Sequence, residues 1–212
     1  MIKALIFDMG GVLVDLDVED CKRAFREGLD YHDIDDMIDA CHQKGIYGEL
    51  EGGTLSADEF RSIVLASSRP GAACQDVDEA MSHILVGIEP YKGELLRRLS
   101  EKYELYMLSN NNPICLPYSM KMFEDAGAPI DETFRKCYFS FELKALKPSA
   151  SFYRTVMEDI GLAPEEMLFI DDSPRNVEGA LEVGLPAVYY EPGSDLAALI
   201  DDVLERKEKR LC

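Results

Sequence analysis

The alternation of short apolar runs with helical patterns after Pro90 constrains the fold most strongly. Apolar runs at 105–108, 138–139, 167–170 and 187–190 are separated by helical patterns. A succession of strand, helix and strand is typical of a parallel sheet covered by helices on both faces. A further apolar run at 3–7 ends in Asp8 and a pair of glycines and predicts the first strand. We therefore predict an α/β fold with a doubly wound, Rossmann-like parallel sheet.

A helical block that is poor in strands separates this first strand from the others. Between about residues 18 and 85 the apolar residues recur at helical spacing, as they do over 34–41. Ser56 and Glu59 have the spacing of a helix capping box. The Gly-rich stretch 45–54 is expected to divide about four helices.

The position of the helical block predicts two domains. A chain of 212 residues can form one core domain together with a small insert. The block emerges directly after the first strand, so it interrupts the sheet in sequence. We predict a core formed by residues 1–16 and 88–212, with an inserted helical cap at 17–87.

Net charge and cysteine pattern argue against several partners and cofactors. The chain has 22 Lys and Arg against 41 Asp and Glu, a formal net charge of −19. Such a surface repels nucleic acid and anionic lipid, so we expect neither as a partner. The six cysteines lack C-x-x-C spacing, the three histidines are scattered, and no signal peptide or membrane span is evident. We expect a cytoplasmic protein without zinc, either a monomer or a homodimer.

Chemically active residues follow the predicted strands. They are Asp8, the pair Ser109-Asn110, the pair Asp171-Asp172, and Lys147 in a loop. The carboxyl ends of parallel strands form one edge of a sheet, and ligands bind there. Crowded carboxylates repel one another unless a cation neutralises them, and oxygen ligands favour Mg²⁺. With a lysine and a hydroxyl nearby, this edge predicts a phosphate site in which a carboxylate can act as nucleophile.

Each motif also has a structural explanation. Asp8 could begin a turn, and Ser109 could open a helix N-cap. Lys147 could lie in a solvated loop, and Asp171-Asp172 could cap a helix. Capping does not explain why all four occur in order along one predicted sheet.

The ordered motifs resemble those of the haloacid dehalogenase superfamily over nearly the whole chain. The family opens with D-x-D-x-T/V after a strand, and here the same place reads Asp8-Met9-Gly10-Gly11-Val12. Its later motifs correspond to Ser109, to Lys147-Pro148, and to Asp171-Asp172 with Asn176 following. The helical block resembles the smaller helical cap of one subgroup.

The resemblance implies a role for each of these residues. Asp8 would be the nucleophile that accepts a phosphoryl group. Asp8, Asp171 and the backbone carbonyl of Gly10 would hold Mg²⁺, with Asp172 beside them and more distant from the ion. Ser109 and the N–H of Asn110 would bind phosphate oxygens. Lys147 would neutralise charge on the phosphate and on Asp8.

Gly10 departs from the family pattern because it replaces the second Asp, the general acid and base of the family's phosphatases. General acid–base catalysis contributes about 10²–10⁴-fold, so its loss is large without being fatal. We therefore predict a Mg²⁺-dependent phosphatase that acts on a small phosphorylated metabolite through an aspartyl-phosphate. Good leaving groups, such as those of sugar 1-phosphates, should be favoured. Asp15 or Asp17 could replace the missing acid, or both could be polar residues at the entrance to the cap.

Two other functions remain as alternatives. Gly10 is also consistent with a catalytically weak protein that binds phosphate and has a regulatory role. A carbon–halogen hydrolase would also lack the second Asp, but such relatives use no metal, whereas Asp171-Asp172 favours a metal site. Residues 47–54 could face the active site or form an ordinary loop between helices.

Overall fold

The computed structural model describes residues 1–38 and 44–209 and contains two sheets. The strands of the larger sheet are β1 Ala4–Phe7, β4 Glu104–Ser109, β5 Lys136–Phe139, β6 Met167–Asp171 and β7 Ala187–Tyr189. The strands of the smaller sheet are β2 Asp15–Leu16 and β3 Leu85–Gly87. All pairings in the larger sheet are parallel, and its strand order is β5-β4-β1-β6-β7. The predicted α/β fold with a parallel sheet is confirmed.

Helices connect these strands. Between β2 and β3 lie α1 Val18–Leu29, α2 Ile34–Met37, α3 Gly45–Glu51, α4 Ala57–Ala66 and α5 Cys74–Ser82. The remaining helices are α6 Pro90–Ser100, α7 Leu116–Asp125, α8 Ile130–Thr133, α9 Ser140–Leu143, α10 Ala150–Ile160, α11 Pro174–Glu182 and α12 Leu196–Lys209, with a 3₁₀ turn at Pro164–Glu166. None of the helices in the described ranges is long and apolar enough to cross a membrane.

The central strand β1 is buried on both faces. Its side chains alternate between the two faces of the sheet, and each set packs into a different apolar cluster. Leu5 and Phe7 belong to an apolar cluster that includes Leu96 of α6. Ala4 and Ile6 belong to a second cluster that includes Phe152 of α10. Burial on both faces explains why β1 is an uninterrupted apolar run.

The inserted helices form a third apolar cluster. Phe25 of α1, Phe60 of α4 and Val77 of α5 pack there, together with Ile114 and Cys115 from the segment before α7. The Ser56–Glu59 capping box is present, with the Glu59 N–H 3.3 Å from Ser56 Oγ and the Ser56 N–H 2.9 Å from Glu59 Oε2. The inserted helices therefore have an apolar cluster distinct from the two clusters that flank β1, and residues of the segment before α7 complete it.

Local predictions were wrong at several positions. The stretch 45–54 was expected to separate helices, but its first seven residues form α3. The helix expected over 34–41 ends at Met37, because Ile38 is extended, and residues 39–43 lie outside the described part. The antiparallel pair β2–β3 was not predicted, because strands of two and three residues leave almost no periodic pattern.

Candidate active site

Three neighbouring strands bring the predicted carboxylates and the serine to one edge of the sheet. β1 lies between β4 and β6, and Phe7 is in register with Met107 and with Ile170. Asp8 follows β1 directly, and its backbone N–H donates to the Ile170 carbonyl at 2.9 Å. Ser109 and Asp171 end the two flanking strands. The sheet order therefore places Asp8 between the other two.

Three carboxyl groups and one ammonium group form the centre of this edge. Oxygens of Asp8, Asp171 and Asp172 lie within 4.8 Å of one another. Lys147 Nζ lies 2.7 Å from Asp8 Oδ2 and 2.7 Å from Asp171 Oδ2. The structure thus brings together the three carboxyl groups and Lys147, as the sequence predicted, although these residues are widely separated in the chain.

The pKa values in this cluster reflect burial and crowding. Burial raises the pKa of Asp8 well above its usual value, and Asp171 and Asp172 add to the rise while Lys147 opposes it. Burial and Asp171 raise the pKa of Asp172 to about 6. Burial alone would lower the pKa of Lys147, but Asp171 and Asp8 outweigh it and the net pKa is raised. The cluster thus has more negative charge than one lysine can compensate.

The donor set fits a divalent cation. With all three carboxyls ionised, one lysine leaves two negative charges uncompensated, which is the charge of one Mg²⁺ ion. The side-chain donors are carboxylate oxygens, the ligands that Mg²⁺ prefers. Gly11 allows the Asp172 carboxylate to lie against the turn that follows Asp8. Its φ is +76°, and a Cβ on it would overlap that carboxylate.

Asp171 is oriented by the start of α11. Its Oδ1 accepts the Ser173 N–H at 2.8 Å, and Asn176 Nδ2 lies 3.0 Å from Oδ1 and 3.2 Å from Oδ2. The side-chain contacts of Asn176 explain why an asparagine follows the acidic pair at this spacing. They fix one carboxylate of the cluster in place before any ligand binds.

Asn110 positions the backbone of Lys147. Its Oδ1 accepts the Lys147 N–H at 2.8 Å, and its Nδ2 donates to the Lys147 carbonyl at 3.1 Å. The sequence assigned only the backbone N–H of Asn110 to phosphate, so this use of its side chain was missed. Ser109 is buried beside it, and its Oγ donates to the Asn110 carbonyl at 3.3 Å.

The cluster opens into a cavity of about 370 Å³. Asp8, Gly10, Ser109, Asn110 and Lys147 line it. Its volume lies within the range typical of small-molecule sites.

Helix α3 supplies another part of the cavity wall. Tyr47, Gly48 and Glu51 line the cavity from this helix. Residues four apart share one helix face, so Tyr47 and Glu51 project together. Of the two alternatives for 47–54, a segment facing the site or an ordinary loop, the structure favours the first. The sequence assigned no specific role to Glu51.

Asp15 and Asp17, considered as replacements for the missing acid, have other contacts. Asp15 Oδ1 accepts a hydrogen bond from the buried Lys92 Nζ at 3.0 Å. Asp17 caps α1, where its Oδ1 accepts the Asp20 N–H at 2.9 Å. Neither residue lines the cavity. Of the two alternatives, a replacement acid or a polar residue at the entrance to the cap, the second therefore fits both residues better.

Comparisons with known proteins show which proteins this chain is similar to. A family model described as haloacid dehalogenase-like hydrolase matches residues 2–184. A D-ribitol-5-phosphate phosphatase of Bacteroides thetaiotaomicron is 33% identical over 196 residues, covering 92% of this chain and 95% of that protein.

Solved structures of haloacid dehalogenase family proteins are also similar to this chain. A wild-type haloacid dehalogenase family enzyme of Bacteroides thetaiotaomicron, crystallised with magnesium and inorganic phosphate, superposes with a TM-score of 0.86 at 34% identity, covering 94% of this chain and 99% of that one. The L-2-haloacid dehalogenase of Xanthobacter autotrophicus has a TM-score of 0.62 at 21% identity, covering 96% and 83%, and shares the fold.

Proposed function

The chain belongs to the haloacid dehalogenase-like hydrolases, and we infer that it is a Mg²⁺-dependent phosphatase of a small phosphorylated metabolite. One observation supports this inference most strongly. Lys147 Nζ lies between Asp8 and Asp171 at 2.7 Å from each, beside a third carboxyl that it cannot neutralise. A cluster with this composition suits a divalent cation and the dianionic phosphoryl group together.

Asp8, Asp171 and the carbonyl of Gly10 would hold Mg²⁺, with Asp172 close to them. When bound, the ion supplies positive charge that offsets the carboxylates and polarises the phosphoryl oxygens. The magnesium and phosphate complex of the Bacteroides relative supports this assignment.

Asp8 would act as the nucleophile. One of its carboxylate oxygens attacks phosphorus and forms an aspartyl-phosphate while the bond to the ester oxygen breaks. Lys147 Nζ is placed to compensate charge on the transferred group, and Ser109 with the Asn110 N–H would bind its oxygens. Water then cleaves the aspartyl-phosphate, which releases inorganic phosphate and restores the Asp8 carboxylate.

The substrate would be of sugar or polyol size. A cavity of about 370 Å³ accommodates a metabolite but not a folded phosphoprotein. The named activity of the ribitol-5-phosphate phosphatase supports a polyol phosphate as the first compound to test. The preference for good leaving groups, predicted from Gly10, holds only if no other group supplies a proton.

We also propose that residues 17–87 form a cap over the core, formed by 1–16 and 88–212. The inserted helices have their own apolar cluster, and α3 contributes to the cavity wall. Since every substrate shares the phosphoryl group, discrimination would come from cap contacts to the rest of the molecule.

A panel of phosphorylated metabolites tests the proposed function. Purified protein is assayed with Mg²⁺, with EDTA, and as the Asp8→Asn variant. We expect release of inorganic phosphate from sugar or polyol phosphates that requires Mg²⁺ and is lost in Asp8→Asn. Tight phosphate binding without turnover would support the weakly catalytic alternative. Metal-independent halide release from a haloacid would support the dehalogenase.

A further inference from the structure

One buried carboxyl of the cavity wall has no part in either half of the proposed reaction. Glu51 is the last residue of α3, is only 6% exposed, and lines the same cavity as Asp8 and Gly10. No hydrogen bond joins its carboxyl group to another residue in the described part of the chain. A carboxyl group in so buried a position is costly, so its place in the wall of a ligand cavity requires an explanation.

The end of α3 is held firmly against the core, which fixes where Glu51 lies. Ser140 Oγ donates to the Glu51 carbonyl at 2.6 Å and accepts the Asn111 N–H at 3.0 Å. Gly53 has a φ of +68°, and a Cβ on it would overlap the Phe141 carbonyl. This contact between the insert and the core therefore depends on a residue without a side chain.

The surroundings of Glu51 favour its protonated form. Burial raises the pKa of Glu51 to about 8, although Lys147 opposes the rise. Tyr47 on the same helix and Cys115 before α7 lie near enough for the Glu51 charge to raise their pKa values. Among the residues that the structure describes, the other charged groups on the cavity wall are Asp8, Asp172, Arg175 and Lys147. At neutral pH the Glu51 carboxyl therefore has a proton to give.

We propose that Glu51 is the general acid and base that replaces the aspartate missing at Gly10. This inference rests on the proposed phosphatase function. In the first half-reaction Asp8 forms its bond to phosphorus, the ester bond breaks, and the leaving oxygen takes the Glu51 proton. In the second half-reaction the Glu51 carboxylate takes a proton from the attacking water. Inorganic phosphate leaves, and both carboxyl groups return to their initial states.

A glutamate on the insert would thus do from across the cavity what the family's second aspartate does from the core. An acid at this position removes the need for a good leaving group. The proton source would then lie on the proposed cap. Protonation of the leaving oxygen would therefore require α3 to be docked against the core.

A leaving-group series tests this role. We compare kcat/KM of the native chain, Glu51→Gln and Glu49→Gln with 4-nitrophenyl, phenyl and benzyl phosphates. Glu49 is the matched control, because it lies on α3 but is exposed. For Glu51→Gln we expect a loss of less than about 3-fold with 4-nitrophenyl phosphate that grows to about 10²–10⁴-fold with benzyl phosphate. Glu49→Gln should match the native chain throughout.

A burst experiment tests the second half-reaction. With 4-nitrophenyl phosphate, Glu51→Gln should release its first equivalent of nitrophenol faster than later ones, because hydrolysis of the aspartyl-phosphate lacks its base. Linear release would overturn the base role. An equal loss for all three esters, or no loss, would overturn the acid role.

The two proposals fail in different ways. If the native chain releases no phosphate, or if Asp8→Asn retains the activity, the phosphatase function itself is wrong. If native turnover depends on Asp8 while Glu51→Gln shows no selective loss for poor leaving groups, only the role of Glu51 is wrong. Thermal unfolding of Glu51→Gln shows whether the variant is folded.

Discussion

The side chain of Asn110 holds the backbone of Lys147 by two hydrogen bonds. Its Oδ1 accepts the Lys147 N–H at 2.8 Å, and its Nδ2 donates to the Lys147 carbonyl at 3.1 Å. Since Lys147 Nζ bridges Asp8 and Asp171, the amide of Asn110 indirectly sets the position of the ammonium group.

Asn110→Ala should therefore lower kcat. A displacement of about 1 Å at a catalytic group can reduce the rate about 10²-fold, and we expect a loss of that order. Steady-state kinetics with the best substrate of the panel measure it. Lys144→Ala is the control, because Lys144 is exposed and precedes the same loop. An unchanged kcat in Asn110→Ala would show that the loop holds Lys147 without this side chain.

Gly11→Ala should weaken magnesium binding. The added Cβ would overlap the Asp172 carboxylate at a φ of +76°, so either the turn or Asp172 must move. Loss of an outer partner of a metal site typically lowers affinity about 10–100-fold, and we expect a similar fall here. The Mg²⁺ dependence of activity measures it. Gly28→Ala is the control, because a Cβ there meets nothing within 4 Å. Equal Mg²⁺ affinity in both variants would contradict the prediction.

Asp15→Ala should affect stability and leave chemistry unchanged. Lys92 is fully buried and its Nζ is bound by Asp15 at 3.0 Å and by Glu89 at 3.1 Å. Removing one partner of a buried charged group costs about 1–3 kcal/mol, which urea denaturation measures. An Asp15→Ala variant with native stability and slow turnover of alkyl phosphates would instead make Asp15 the acid.

Much of the site could be predicted because its residues follow strands directly. Strands of one parallel sheet end at one edge, so Asp8, Ser109 and Asp171 could be grouped from chain order alone. The order of the strands could not be derived, since it depends on contacts between distant segments. It is this order that places β1 between β4 and β6.

Glu51 was missed for a local reason. Three glycines within residues 48–53 reduce the helix signal, so the segment resembled a loop. Packing restores the helix: Tyr47 and Leu50 are buried in the cluster of the insert. The contact of Gly53 with the Phe141 carbonyl, which sets the end of α3, is a tertiary feature without a periodic pattern.

The raised pKa of Glu51 predicts a pH-dependent difference in stability between the native chain and Glu51→Gln. The folded pKa is about 8 and the ordinary value is 4.5, so between them the folded chain holds a proton that the unfolded chain has lost. Native stability should fall relative to Glu51→Gln as pH rises through this window, by up to about 1.4 kcal/mol per unit of difference between the pKa values. The other charged groups of the described cavity wall, Asp8, Asp172, Arg175 and Lys147, are common to both chains, so the comparison cancels their own titration. Burial raises the pKa of Tyr47 well above its ordinary value and therefore above the window. Urea denaturation from pH 4 to pH 9 tests this, and parallel stability curves would contradict it.

The covalent state of Asp8 during turnover shows directly whether this residue is the nucleophile. Native protein is mixed with Mg²⁺ and 4-nitrophenyl phosphate, quenched rapidly in acid, and digested for mass spectrometry. We predict one phosphoryl group on the peptide that contains Asp8, and none after the same treatment of Asp8→Asn. Turnover with no phosphorylated peptide, or a phosphoryl group on any other residue, would contradict the assignment of Asp8 as nucleophile.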